Sequence, residues 1–327
     1  MVRQFIPYSP ATDVALGGIW REHHRFLINV AYRMLGTVSE AEDVVQDAFA
    51  RLLRVDLAEI KDVRGWLVVA VSRLCLDQLR SARARREVYV GPWLPEPVIQ
   101  APDPSADPAE RITLDDSVRM AILVVLERLS PAERVAFVLH DVFQFSFDEV
   151  AAIVHRTPAA CRQLASRARR RVQTEASPAR FDVDPDILTR VANRFITAAS
   201  NGDLNALVQV LDPNVVDRVD SGGVVAAPRR PRVGHRHVAQ RFLQFVQAFR
   251  ITLVPMPING EPGALAYQDD RLKAVIALSI RDGLIDQIFG IVSPTKLAYV
   301  ASLLDGQTVP PTATGPVSGS AGSSKLP

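Results

Sequence analysis

The chain has 327 residues, 48% apolar, 23% charged and 6% aromatic, a length suited to two or three domains with real cores. Lys and Arg number 38 against 36 Asp and Glu, a net charge of +2, so any nucleic-acid function must come from local clusters, not global charge. Two distant cysteines exclude a disulfide scaffold and a Cys-based zinc finger; with no apolar run near the roughly 20 residues of a bilayer span and no secretory leader in MVRQFIPYSP, the expectation is a soluble cytoplasmic protein that does not enter membranes.

Residues 13–86 read as helices. Ser39-Glu40-Ala41-Glu42 has the capping-box pattern. It starts a helix whose apolar side uses Val44, Val45, Ala48, Phe49 and Leu52. A loop over Arg54 to Asp62 precedes a second helix, about Val63 to Arg85, expected to bury Trp66, Leu67, Ala70, Leu74 and Leu79. Residues 88–110 then carry six prolines between Pro92 and Pro108. Proline removes donors and disfavours helix before it, so this is an extended linker. Helix starts return at Thr113 with Asp116, at Ser130 with Pro131 and Glu133, at Ser146 with Glu149, and at Thr157-Pro158.

Residues 187–302 change character. A helix, Ile187 to Ala199, precedes strand-like segments at Val215–Val219, Ile251–Pro257, Leu265–Gln268, Leu272–Ile280 and Leu284–Val292, with a helix over Val238 to Phe249 among them. Arg281-Asp282-Gly283 is a hairpin turn signal. Helices followed by mostly antiparallel strands read as α+β. From residue 304 onward a Gly/Pro/Ser/Thr-rich tail is expected to be disordered.

The most informative stretch is 146–172. Helix, short turn at His155-Arg156 and second helix fit a helix-turn-helix. On the second helix Cys161, Leu164, Ala165, Ala168 and Val172 keep one buried face. Its other faces carry Arg162, Gln163, Arg167, Arg169, Arg170 and Arg171, and Arg156 to Arg180 holds seven Arg and one Glu. Arginines beside such a helix neutralise phosphates, and polar residues near its start reach base edges. The bland alternative is a basic solvated helix. His155 stands where a turn glycine is usual; histidine visits positive φ more readily than most residues. A second basic stretch holds Arg73, Arg80, Arg83, Arg85 and Arg86 against Asp77 and Glu87, and a solvated face explains it equally well. Cys75 and Cys161 read as buried thiols. His23-His24 and His235-x-His237 lack the partners of a metal site, so no metal and no cofactor are expected.

Two DNA-oriented helical modules joined by a proline linker resemble bacterial sigma factors of the extracytoplasmic-function type. AEDVVQDAFARLLR at 41–54 resembles their acidic polymerase-docking helix, and VRGWLVVAVSRLCLDQLRSARARRE at 63–87 their −10-reading helix. LSPAERVAFVLHDVF at 129–143 and FDEVAAIVHRTPAACRQLASRARRRV at 147–172 resemble their C-terminal promoter-binding module. GPWLPEPV at 91–98 resembles the linker signature of a subgroup with an added C-terminal domain, and 185–303 its SnoaL-like, NTF2-type cone. The implied architecture is multidomain: two all-α DNA-binding domains, 13–87 and 113–176, a linker at 88–112 and the α+β cone.

The resemblance implies roles. Glu42, Asp43, Gln46 and Asp47 would meet the β′ clamp helices of core RNA polymerase, with the β flap as a second contact. Loop 54–62 would hold a flipped −10 base; Trp66 suits core packing better than base stacking. Arg73, Arg80, Arg83, Arg85 and Arg86 would serve the −10 element, and Thr157, Arg162, Gln163, Arg167 and Arg170 the −35 element. Trp93, Leu94 and Pro95 of the linker would face Asp220, Gly222 and Gly223 of the cone. The last three belong to Asp220-Ser221-Gly222-Gly223-Val224, which has Ser and Val where the family has Gly and Lys; Ser293-Pro294-Thr295-Lys296-Leu297 resembles the family's closing Asn-Pro-Asp-Lys-Leu, with Ser and Thr in place of Asn and Asp. The strands offer no evident acid/base pair; Tyr267, Asp269 and Asp270 form the nearest polar cluster. A non-catalytic regulatory domain is therefore expected, with room for an unidentified small ligand. The alternatives are a ligand-sensing helix-turn-helix regulator, against which the acidic helix speaks, and an enzyme using the cone, which a buried Asp or His in a cavity would favour.

Overall fold

The computed structural model describes residues 10–86, 89, 91–99, 118–176 and 184–304, and their side chains except those of 10–15 and 82–86. The expected start signal at Thr113 and the tail beyond 304 lie outside the described residues.

Three helices form the first bundle: α1 (Pro10–Leu35), α2 (Val38–Leu52) and α3 (Val63–Arg86). On α2 the buried stripe is Val38, Ala41, Val44, Val45, Ala48, Phe49 and Leu52, the 3.6-residue period of a core-facing helix. On α3 it is Leu67, Val68, Val71, Cys75, Leu76 and Leu79. Trp66, Ala70 and Leu74 are only partly buried, so the stripe is turned slightly from the expected one. Ser39 does not cap α2. The helix begins at Val38, and its N-cap Thr37 makes no side-chain bond. The Val38 N–H donates instead to Glu96 Oε2 at 2.7 Å; a carboxylate from the linker does what a local serine was expected to do. The loop before α3 holds a single 3-10 turn, Leu57–Glu59, capped by Asp56.

The second bundle contains α4 (Met120–Leu126), α5 (Pro131–Phe137), a π turn at Val138–Val142, α6 (Phe147–Val154) and α7 (Pro158–Glu175). Ser130/Glu133 and Ser146/Glu149 form complete capping boxes, and Thr157 Oγ1 accepts from the Ala160 N–H at 3.2 Å. Cys161, Ala165, Ala168 and Val172 are the buried face of α7. The turn between α6 and α7 depends on His155, held at φ 56° and ψ 52°. A side chain in this left-handed conformation costs about 1–2 kcal/mol, which glycine avoids. His155→Gly should therefore raise stability by about 1 kcal/mol, read as a higher denaturation midpoint at unchanged slope. A lower midpoint would mean that the imidazole makes a compensating contact.

The C-terminal part runs α8 (Pro185–Ser200), α9 (Leu204–Val210), β1 (Leu211–Asp220), β2 (Arg232–Val233), α10 (His235–Ala248), β3 (Thr252–Ile258), β4 (Glu261–Gln268), β5 (Arg271–Arg281), β6 (Leu284–Ile291) and α11 (Pro294–Leu304). The strand order is β2-β1-β6-β5-β4-β3; β1 and β6 are parallel and the other neighbours antiparallel. This is the expected α+β cone of NTF2/SnoaL type. The expected strands are all present, and α9, the short β2 and α11 are additions.

One face of the sheet, with Ala266, Ala274, Ile276 and Ile288, shares a core with α8, α9 and α10. The opposite face presents Ile258, Leu265, Val275, Ala277, Phe289 and Ile291 to the helical bundles, in one continuous core with them. Burial on both faces explains why β5 is buried without interruption from Ala274 to Ile280.

Candidate nucleic-acid interface and the buried linker

The second helix of the helix-turn-helix, α7, exposes Arg162, Gln163, Arg167 and Arg170. Arg167 Nε lies 3.1 Å from Glu133 Oε1, and the Arg162 guanidinium stands 5.6 Å from the Phe147 ring. Arg169 Nε donates to Asp141 Oδ1 at 2.7 Å, and Arg171 Nη1 to the Arg128 carbonyl at 3.1 Å. Arg169 and Arg171 are thus anchored to neighbouring elements. Thr157 is exposed too, with its hydroxyl engaged in capping.

On α3, Arg80 pairs with Asp77 at 3.4 Å in the open. Arg73 is exposed yet crosses between modules: its Nη2 donates to the Ala152 carbonyl of α6 at 3.0 Å. The side chains of Arg83, Arg85 and Arg86 lie outside the described residues. Both cysteines are buried and free.

Glu42, Asp43, Gln46 and Asp47 lie together on the exposed side of α2, opposite its apolar stripe. Partial desolvation, then the adjacent Asp43, pushes the Glu42 carboxyl above its ordinary value. The C-terminal domain reaches this end of α2. Burial, followed by the Glu96 and Glu42 charges, pushes the Tyr299 hydroxyl of α11 upward.

The described part of the linker, 89 and 91–99, is held by many contacts. Residues 94–99 are all buried. Glu96 N–H donates to the Gly36 carbonyl at 2.8 Å, and Tyr32 Oη donates to the Glu96 carbonyl at 2.8 Å. The Leu94 N–H donates to Asp220 Oδ2 at 2.8 Å. Lys296 Nζ sits 2.7 Å from the same oxygen and also donates to the Leu94 carbonyl. Tyr89 Oη reaches Asp220 Oδ1 at 2.5 Å, and the Gly222 N–H donates to it at 3.0 Å. Asp220 is fully buried. The Trp93 ring covers the Lys296 ammonium, 4.1 Å from ring centroid to Nζ.

Of the expected interdomain residues, Leu94 and Asp220 bond directly, Trp93 packs on the partner cation and Pro95 is buried. Gly222 and Gly223 act indirectly by turning the chain at φ 67° and 73°. A Cβ on Gly222 would meet Ser293 Oγ at 2.8 Å, so only glycine lets this turn approach the start of α11.

A second knot lies at the β3–β4 turn. Asn259 is fully buried. Its Nδ2 donates to the Val118 carbonyl at 2.8 Å and to Tyr32 Oη at 3.0 Å, while its Oδ1 accepts from the Val98 N–H at 3.1 Å. One amide thereby joins cone, linker and both bundles. Sequence reasoning missed Tyr32, Glu96 and Asn259 as contacts. The Asn259-Gly260 pair is of a kind that forms tight turns, but nothing in it points to the contacts of the amide.

The cone encloses a cavity of about 920 Å³. Asp217 lines it and is 4% exposed, the kind of buried Asp that the enzyme alternative called for; its partner is an arginine and not a second acid or base. Burial pushes its carboxyl upward, against the pull of Arg232, whose Nε lies 2.7 Å from Asp217 Oδ2. Asp269 and Asp270 form the β4–β5 turn at φ 47° and 59°, and Asp270 reaches the cavity mouth. Among the described residues no group of three His, Cys, Asp or Glu could hold a metal, and no helix is long and apolar enough to cross a membrane.

The helical bundles match known families in the order the architecture requires: sigma-70 region 2 over residues 19–85 and sigma-70 region 4 over 119–172. Beyond the bundles, the ECF RNA polymerase sigma factor SigI of Mycobacterium tuberculosis is 42% identical over 290 residues, 88% of this chain and 96% of its own length. SigJ of the same organism is 40% identical over 308 residues, 90% and 96% of the two chains. Its crystal structure superposes with a TM-score of 0.70 at 37% identity, covering 86% of this chain and 98% of that one. These relatives are sigma factors, not enzymes, and the likeness runs through linker and cone as well as the bundles. The chain belongs to the extracytoplasmic-function RNA polymerase sigma factors.

Proposed function

We propose that this sigma factor docks on core RNA polymerase through Glu42, Asp43, Gln46 and Asp47 against the β′ clamp helices, with its second bundle meeting the β flap. In this reading residues 13–87 read the −10 element through α3, and 113–176 the −35 element through α7. Residues 185–303 form a regulatory domain that acts by holding the linker, 88–112.

The observation that carries the reading is the seat of residues 94–99, closed by the Asp220–Lys296 pair. The two promoter elements lie roughly 25 base pairs apart, on the order of 85 Å at 3.4 Å per base pair. Here α3 packs directly on α5 and α6, and Arg73 is bonded across that contact. The bundles must therefore separate to read both elements, and freeing the linker permits it. Run-off transcription with purified core tests this. Variants that release the linker should alter output, and identical output across promoters and salt would refute it.

The recognition helix should carry −35 selectivity. Arg162→Ala or Arg167→Ala should cost about 1–3 kcal/mol at a preferred base. Arg170→Ala should weaken all promoters alike and reduce the salt slope. Binding assays in which Arg162→Ala and Arg167→Ala leave promoter preference unchanged would overturn this placement.

The acidic helix should serve polymerase rather than DNA. Charge reversal at Asp43 and Asp47 spares the apolar stripe, because both side chains are exposed. Core association should slow by about tenfold or more, since rim charges steer encounter. A folded double variant that binds core as wild type does would sink the assignment.

A further inference from the structure

We propose that the cavity of the C-terminal cone is a binding site for a small amphipathic anion: an apolar body the size of a medium-chain fatty acid, carrying one carboxylate or comparable acid group. Its volume of about 920 Å³ is that of a pocket that encloses a small organic ligand. The inner wall is apolar, built by Phe242, Phe245, Ile276 and Ile288. Around it stand four cations, Arg232, Arg241, Arg271 and Lys273, against two carboxylates, Asp217 and Asp270. Arg232 and Asp217 bond to each other, which leaves three exposed cations and one carboxylate toward the mouth. That surplus favours an anionic head group and disfavours a cationic one.

The rim also presents apolar surface to water. Phe249 is 51% exposed and Val225 44% exposed, and both line the cavity. A bound apolar body would cover them. Asp217 is held by Arg232 through two guanidinium nitrogens on one carboxylate oxygen, the arrangement of a structural ion pair rather than of a free base. The chemistry of the cavity is recognition.

Helix α11 is a wall shared with the linker seat. Pro294, Leu297 and Ala298 line the cavity, whereas Lys296 holds Asp220 and Leu94. The cavity is present while the linker is seated; a ligand favours that arrangement to the extent that it binds it more tightly than the released one, and α11 is the element common to both sites. The site itself is independent of the promoter reading: its test uses the sigma factor alone, and a negative result leaves core binding and run-off transcription as they were.

The test uses the full-length protein with three probes of equal chain length: decanoate, decanol and decyltrimethylammonium, each below its aggregation threshold. Binding is read by calorimetry and by displacement of a fluorescent naphthalene sulfonate. Decanoate should bind at least about tenfold more tightly than the other two. Ala298→Trp, at an exposed position on the cavity side of α11, should lower decanoate affinity at least tenfold. Arg271→Glu with Lys273→Glu should reverse the ranking of the charged probes. No binding of decanoate, equal binding of all three probes, or an unchanged ranking after the double reversal would overturn the proposal. If Ala298→Trp does not fold, the double reversal at the exposed rim decides alone.

Discussion

Lys296→Met should release the linker from the cone and destabilise the closed arrangement by about 3–5 kcal/mol, the usual cost of removing one partner of a buried ion pair. Asp220 is fully buried and Lys296 nearly so. Without the ammonium, the carboxylate keeps the Tyr89 hydroxyl and the Leu94 and Gly222 N–H groups but no countercharge from Lys296. The Leu94 carbonyl also loses this donor, and Trp93 loses the cation beneath its ring. Methionine fills a similar volume, so the loss is one of charge more than of packing. The expected result is a larger radius of gyration in solution, faster hydrogen exchange at Leu94 and changed run-off output. Adding Asp220→Asn should recover part of the stability, because a neutral side chain costs less to leave alone in the interior. A Lys296→Met protein as compact and as stable as wild type would remove the ion pair from any role in closure.

Asn259→Gly should have a comparable effect by a different route. Asn259 holds φ 53° and is followed by Gly260 at φ 78°, so glycine keeps the turn and deletes only the amide. The Val98 N–H and the Val118 carbonyl then lose this partner inside the protein. At about 1–3 kcal/mol for each buried group left unsatisfied, the expected loss is about 2–6 kcal/mol, seen as a lower denaturant midpoint. Tyr32 is less affected, because its hydroxyl still donates to the Glu96 carbonyl. Wild-type stability in this variant would show that water replaces the amide without cost.

What the sequence reveals of this protein divides by distance along the chain. Ser130, Ser146 and Thr157 bond within three residues of themselves, and all three helix starts are readable. The strands are readable as aliphatic runs because both faces of the sheet are covered. Ser39 misleads because the acceptor that serves α2 arrives from Glu96, 58 residues away. The short helices α9 and α11 escape notice although each has a start signal: Asp203 caps the first, and Ser293-Pro294 repeats the pattern of Thr157-Pro158. The basic and acidic surface residues follow from periodicity alone. The linker seat does not, because Asn259 and Tyr32 meet across 227 residues and nothing local marks either one.

The continuous core between the outer sheet face and the helical bundles has a thermal consequence. Opening the molecule brings Ile258, Leu265, Val275, Ala277, Phe289 and Ile291 out of contact with the bundles and into water. Hydration of apolar surface raises the heat capacity, so the enthalpy of opening grows with temperature and the closed state is favoured within a limited thermal window. Apolar association weakens on cooling, whereas a closure made of exposed ion pairs alone would lack this heat-capacity signature. In the proposed release of the linker, the balance between closed and open forms is thereby tied to temperature through the area of that face.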